Sequence, residues 1–313
     1  MPDRIVTVTM NPALDVSTAV NQVTPTHKLR CEAAQMHPGG GGINVARVIH
    51  RLGTDCLALF PSGGLNGKAI ETRLDAEGVP FQSIPIAQES RESFSVHERQ
   101  TGLDYRFVVP GPKLQESEWR ACLTAVRSLR PVPRYLVASG SLPPGVPQDF
   151  YAQLGQLCRT QDTLLALDAS GPALLAGLQA GVYVFKPSLR ELRELTGQAL
   201  TTNAERIQAA RTLIEQGQSE IVALSLGDEG AMLITRNQAW SAPALPVPVA
   251  STIGAGDSFL AGLIWALSEN QPLEQAFAQA LATATAALLS PGTALGQPQD
   301  IADLLAQVQI GVC

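Results

Sequence analysis

Short apolar runs alternate along the chain with longer stretches of helical period. Ile5–Thr9, Cys56–Phe60, Tyr135–Ser139, Leu164–Asp168, Tyr183–Phe185 and Ile221–Leu226 are continuous apolar runs rather than alternating ones. That pattern is expected of strands covered on both faces. Between them, Ile43–Leu52, Lys68–Glu77, Glu116–Leu129 and Ala204–Gln216 carry a helical period. Strand, helix and strand in repetition predict parallel pairing, hence an α/β fold with a central, mostly parallel sheet flanked by helices on both faces. Two Ala-rich helical patterns close the chain, one beginning at Asp257 and one over Leu273–Leu289, and both follow an extended Pro-rich connection at Pro243–Pro248.

Two stretches break the alternation. Ser17–Gln35 is of mixed polarity with no helical period, and Ser93–Val109 reads SFSVHER, Gln100-Thr101-Gly102, LDYRFVV. The second is a hairpin pattern with alternating faces. No helices separate these strands, so together they predict a small β-sheet lid formed by about 15–36 and 90–110; an antiparallel extension of the main sheet is the alternative. No linker composition or internal repeat divides the chain, and 1–313 reads as a single domain.

The net charge of −6 is scattered along the chain without a basic block, which argues against a nucleic-acid or membrane partner. An acidic chain that binds anions must gather its cations locally. The five cysteines are dispersed and odd in number, which suits the cytoplasm better than a disulfide framework or a zinc site. The chain enters a strand pattern at Ile5 without a signal-like apolar core.

Two glycine-rich stretches carry candidate chemistry. Thr252-Ile253-Gly254-Ala255-Gly256-Asp257-Ser258 precedes the helical run FLAGLIWAL. Small residues at a helix start let backbone N–H groups approach an anion, and a carboxylate at the rim can take a proton from an attacking hydroxyl. In isolation the same residues fit a simple helix cap. Pro38-Gly39-Gly40-Gly41-Gly42-Ile43-Asn44 also runs into a helix. Four successive glycines are entropically expensive and suit close approach of a ligand, with Asn44 offering a donor and an acceptor to a sugar hydroxyl; helix capping by Asn44 is the other reading.

These stretches, with NPALD at 11–15, SGSLPPG at 139–145, LDASG at 167–171, KPSLREL at 186–192 and SLGDEGA at 225–231, resemble the ribokinase-like (PfkB) carbohydrate kinase family over the length of the chain. The resemblance implies a ribokinase-like fold with a β-lid, and ATP and Mg²⁺ as co-substrates. By that resemblance Asp257 is the catalytic base, and Gly254, Ala255 and Gly256 form the anion hole. Lys186, Ser188, Ser225, Gly227 and Gly230 lie at nucleotide positions, and Glu191 organises Mg²⁺ through water. Gly39, Gly40, Gly41, Asn44, Asp15 and Ser141 lie at sugar positions. Ser188 replaces an Asn of the family motif, and Ala294 stands where some relatives carry a basic residue. A monovalent cation such as K⁺ near the anion hole is a further family feature.

GGGGINVAR lacks the lysine of the GGKG and AGKG stretches typical of kinases for 1-phosphofructose and tagatose 6-phosphate. It resembles instead the branch that phosphorylates the 1-hydroxyl of fructose 6-phosphate. Lys28, Arg30 and Arg91 are the expected holders of the phosphate already on the sugar; solvated edge-strand charges are the alternative reading. A non-catalytic sugar-phosphate or nucleotide sensor on the same fold is the competing class, and such a sensor would have no need of Asp257. Open lid edges, and the habit of relatives, lead us to expect a homodimer through the lid.

Overall fold

The computed structural model describes residues 5–313, so residues 1–4 of the expected domain lie outside the described residues. Its larger sheet runs β14 (Gly311–Val312), β13 (Ala239–Ala242), β12 (Ala231–Ile234), β11 (Ser219–Ser225), β10 (Val182–Phe185), β9 (Leu164–Asp168), β8 (Tyr135–Ser139), β1 (Ile5–Val8), β4 (Cys56–Ser62), β5 (Phe81–Pro85). The parallel strands are β1, β4, β5, β8, β9, β10 and β11. An antiparallel edge of β12, β13 and β14 completes the sheet.

The apolar runs became strands because both of their faces are covered. Val6, Val8, Leu136, Leu165 and Leu167 belong to one buried cluster with Trp119, Phe150 and Leu154, on the side of α3 (Glu116–Ser128) and α4 (Phe150–Thr160). Ile5, Ala58, Tyr135, Val137 and Val184 point the other way, with Ile43, Val48, Phe259 and Leu263. That second layer holds α1 (Gly41–Arg51), α8 (Ala255–Ser268) and α9 (Leu273–Leu288). Burial of this apolar surface from two sides is the main stabilising term of the fold.

The lid is a separate sheet of order β3-β2-β6-β7, not an extension of the main one. Its strands are β2 (Ala13–Val20), β3 (Gln35–Gly39), β6 (Arg91–Glu98) and β7 (Asp104–Val108). β2 starts earlier than the polarity pattern indicates, and most of 21–34 is connection rather than strand. Asp15 pairs with Ser93, Ser93 with Val108, Ala13 with Arg91 and Ser95 with Arg106. Opposed residues share a face, so Asp15, Arg91, Ser93, Arg106 and Val108 all lie on the face toward the main sheet. The other face carries Phe94 against Phe107, with ring centroids 6.4 Å apart.

Parallel strands place all their C-terminal ends at one edge of a sheet, the usual position for ligands in α/β folds. Here the loops after β1, β8, β9, β10 and β11 converge there with the N-termini of α1 and α8, beneath the lid.

Candidate active site

Two clefts meet at this edge. The first, of about 360 Å³, is lined from the lid by Asp15, Arg91, Ser93 and Arg106, and from the main sheet by Gly41, Asn44, Ser139, Ser141, Asp168, Glu191, Gly254 and Asp257. The second, of about 650 Å³, is lined by Ser225, Gly227, Gly230, Leu245, Val247, Thr252, Ala255, Phe259 and Leu288 among others. Gly256 lines both.

That shared residue belongs to the first turn of α8. Gly254 caps this helix with φ 80°, a left-handed conformation that glycine adopts without strain. The first N–H groups of a helix have no intrahelical acceptor, and those of Gly254, Ala255 and Gly256 stand where the clefts join. A Cβ on Gly256 would lie 3.4 Å from Lys186 Nζ, which puts the ammonium beside the helix N-terminus. Lys186 pairs with Asp168 at 3.1 Å. Burial works against its charge, but Asp168, Asp257 and Glu191 more than offset that and raise its pKa. The helix dipole and the ammonium both favour an anion at this point.

Asp257 faces it. Burial, and then the Asp168 carboxylate, push Asp257 up to about 7, against the lowering effect of the Asn44 hydrogen bond and Lys186. Asn44 Nδ2 donates to Asp257 Oδ2 at 2.9 Å. A carboxyl poised near neutrality suits a general base.

The glycines of the first motif are explained by close approach. A Cβ on Gly41 would collide with the Ser139 hydroxyl and stand 3.1 Å from Asp257 Oδ1, and one on Gly39 would strike the Asp15 carboxylate. Gly40, at φ 111°, turns the chain from β3 into α1. Asp15 is pushed up to about 6 by burial, opposed by Arg106, Arg91 and Arg47. Asn11 Nδ2 donates to Ser141 Oγ at 3.0 Å, joining the loops after β1 and β8.

Arg91 donates to the Asn11 carbonyl at 3.1 and 3.3 Å and to the Val109 carbonyl at 3.3 Å. Neither it nor Arg106 is ion-paired with a carboxylate among the described residues. Both therefore have charge to offer an anion. Lys28 and Arg30, by contrast, are exposed on the 21–34 connection and do not line this cleft. Arg106, Ser139 and Asp168 do line it and were not singled out from the sequence. The strand alternation in LDYRFVV was a usable signal for Arg106.

Ser188 and Glu191 form a capping box at α6 (Leu189–Thr196). Glu191 Oε2 accepts from Ser188 N and from Ser188 Oγ at 2.8 Å each, and Ser188 Oγ accepts from Glu191 N at 3.3 Å. Serine thus replaces the family Asn as a competent cap, and it fixes Glu191 at the cleft wall.

The chain matches the pfkB family carbohydrate kinase profile over residues 8–300. It is 45% identical to the ATP-dependent 6-phosphofructokinase isozyme 2 of Mycobacterium tuberculosis, over 95% of this chain and 88% of that one. Phosphofructokinase-2 from Escherichia coli in complex with substrates and products superimposes with a TM-score of 0.93 at 36% identity, covering 97% of this chain and 99% of that one. The same enzyme in complex with potassium gives 0.92 at 37% identity with the same coverage. With these matches running along nearly all of its length, the chain belongs to the pfkB family of carbohydrate kinases.

Proposed function

We propose that this kinase transfers the γ-phosphoryl group of ATP to the 1-hydroxyl of fructose 6-phosphate. The observation that carries the reading is the junction of the two clefts at Gly256, with a near-neutral carboxyl on one side and the helix N-terminus and Lys186 on the other. The names of the similar proteins give the substrate.

In this reading the sugar phosphate occupies the cleft under the lid. Asp15, Asn44 and Ser141 receive its hydroxyls, with the glycine run Gly39–Gly41 close beneath, and Arg91 and Arg106 hold its phosphate. The nucleotide lies in the apolar cleft against Ser225, Gly227 and Gly230. Asp257 takes the proton of the 1-hydroxyl as its oxygen attacks the γ-phosphorus, and ADP leaves. The N–H groups of Gly254, Ala255 and Gly256, with Lys186, hold the charge of the transferring group.

Among the described residues no group of three or more metal-ligating side chains gathers at one point. That fits Mg²⁺, which keeps several waters and is shared with phosphate oxygens rather than caged by protein. Glu191, with one oxygen committed to Ser188, would hold it through water. When bound, Mg²⁺ neutralises charge on the phosphates. A monovalent cation is part of the proposal, since the similar Escherichia coli enzyme was crystallised with potassium. The carbonyls of Thr293 and Ala294 are engaged by Arg47 and Arg51. Exposed Met36 and Phe107 on the outer lid face support pairing with a second copy. The five cysteines are free thiols, in keeping with a cytoplasmic protein.

Steady-state kinetics with fructose 6-phosphate, fructose 1-phosphate and tagatose 6-phosphate tests the assignment. The highest kcat/KM should belong to fructose 6-phosphate; a higher value for either competitor moves the chain to another branch. No turnover of any sugar phosphate would favour a sensor.

A further inference from the structure

Arg47 is fully buried, at 0% exposure. An arginine in that position must have every part of its guanidinium engaged. Nε and Nη2 bind Glu77 of α2 (Gly64–Glu77) at 2.8–3.1 Å. Nη1 donates to the carbonyls of Pro38 and Thr293, at 3.1 and 3.0 Å, and to Asn44 Oδ1 at 3.3 Å. Asn44 in turn donates to Asp257.

We infer that Arg47 is a positioning residue for the reaction: it fixes the carboxamide of Asn44 so that Nδ2 faces the Asp257 carboxylate. The argument rests on donor and acceptor identity. Guanidinium can only donate, so the Asn44 atom facing it must be oxygen. The opposite atom is then nitrogen, and it meets an acceptor. Without Arg47 only the charge on Asp257 distinguishes the two ends of the carboxamide, and a protonated Asp257 can meet either. The flipped form would set Oδ1 against Asp257, which tolerates that contact only when protonated and so cannot act as a base.

The other charged groups facing Asp257 are Asp168, Lys186 and Asp15. Those around Arg47 are Glu77, Arg51, His37 and Asp15. None of these replaces the contact to Asn44 Oδ1. The inference depends on Asp257 being the base.

The test is the pH dependence of kcat in Arg47→Met, with Arg47→Met and Asn44→Ala combined in a double-mutant cycle and thermal unfolding followed in parallel. Arg47→Met should move the acid limb up by roughly half to one pH unit and so lower kcat at pH 7 by about two- to fivefold. In the Asn44→Ala background the same change should cost less than about twofold, because the two residues act as one unit. A lower Tm with unchanged kcat and acid limb, or fully additive losses, would overturn the inference. Should Arg47→Met fail to fold, Arg47→Lys serves. Its single ammonium cannot span Glu77 and Asn44 together, so the acid limb should still rise, and an unmoved limb refutes the role. Asp257→Asn separates the two levels. If it stays active, the base assignment falls; if it is dead while Arg47→Met leaves the limb in place, only the role of Arg47 falls.

Discussion

Asn44 and Asp257, 213 residues apart in the chain, are joined by a 2.9 Å hydrogen bond that links the two glycine-rich turns. Each sits in the first turn or so of its helix, α1 or α8, and each turn is shaped by glycines that allow the backbones to approach. The bond holds the carboxylate against the repulsion of Asp168.

Asp257→Asn should therefore lower kcat by about 10²–10⁴-fold while leaving ATP binding largely intact. Its effect on stability should depend on pH in a defined sense. The folded-state pKa, about 7, lies above the ordinary value of 3.8, so the fold binds the proton more tightly than the unfolded chain does. Wild-type stability is then lost as pH rises through that interval, and the Asn variant is spared the loss. The Tm of the variant relative to wild type should be higher at pH 8 than at pH 5; a difference that does not change with pH would count against the shift.

The rate should follow the same group. Since the base works only when ionised, kcat/KM is expected to fall below a pH of about 7, with the limb absent from the residual rate of Asp257→Asn. A flat profile between pH 5.5 and 8, in a buffer series at constant ionic strength, would remove Asp257 from this role.

Gly256→Val tests the anion hole separately from the fold. The residue has no positive φ, and its Cβ would meet only Lys186 Nζ, at 3.4 Å. The variant should fold, with circular dichroism and Tm near wild type, yet lose nearly all turnover because the side chain occupies the space of the transferring group. Normal activity would reduce the glycine to a turn residue.

Ser188→Asn restores the family residue at a helix cap. Asn and Ser are comparable caps, so unfolding should shift by less than about 1 kcal/mol and activity should survive, with the Mg²⁺ dependence as the quantity to watch. Complete loss of turnover would mean that Glu191 requires the serine hydroxyl at 2.8 Å for its position.

Arg91→Ala and Arg106→Ala should each raise KM for fructose 6-phosphate by about one to two powers of ten and reduce its preference over fructose, since a charge-assisted contact contributes roughly 1.5–3 kcal/mol. ATP affinity should barely change. Lys28→Ala and Arg30→Ala, measured alongside, report whether the exposed pair takes part; if all four variants keep the preference, the phosphate is held elsewhere.

Much of the fold was legible because fully covered strands write themselves as unbroken apolar runs, as at Tyr135–Ser139 and Leu164–Asp168. The antiparallel edge was not. Ala231–Ile234 and Ala239–Ala242 are four residues each, too short for a period to show, and Gly311–Val312 is shorter still. In the site, the glycine turns announced themselves through their cost, and Ser-Leu-Arg-Glu at 188–191 is a capping box that its spacing alone could have revealed. Asp168 ends a strand and looks like ordinary punctuation until the strands are laid side by side. Arg47 was hidden for a different reason. A charged residue in a helix reads as solvent-facing, and only the packing of α2 shows that this one is enclosed.

The passage from β3 to α1 occupies one residue, Gly40, between a lid strand ending at Gly39 and a helix beginning at Gly41. A strand of the lid and a helix that lines the cleft are thus joined through one backbone position. At φ 111° this joint suits glycine and strains other residues, so a side chain at position 40 would disturb the lid strand and the helix carrying Asn44 together.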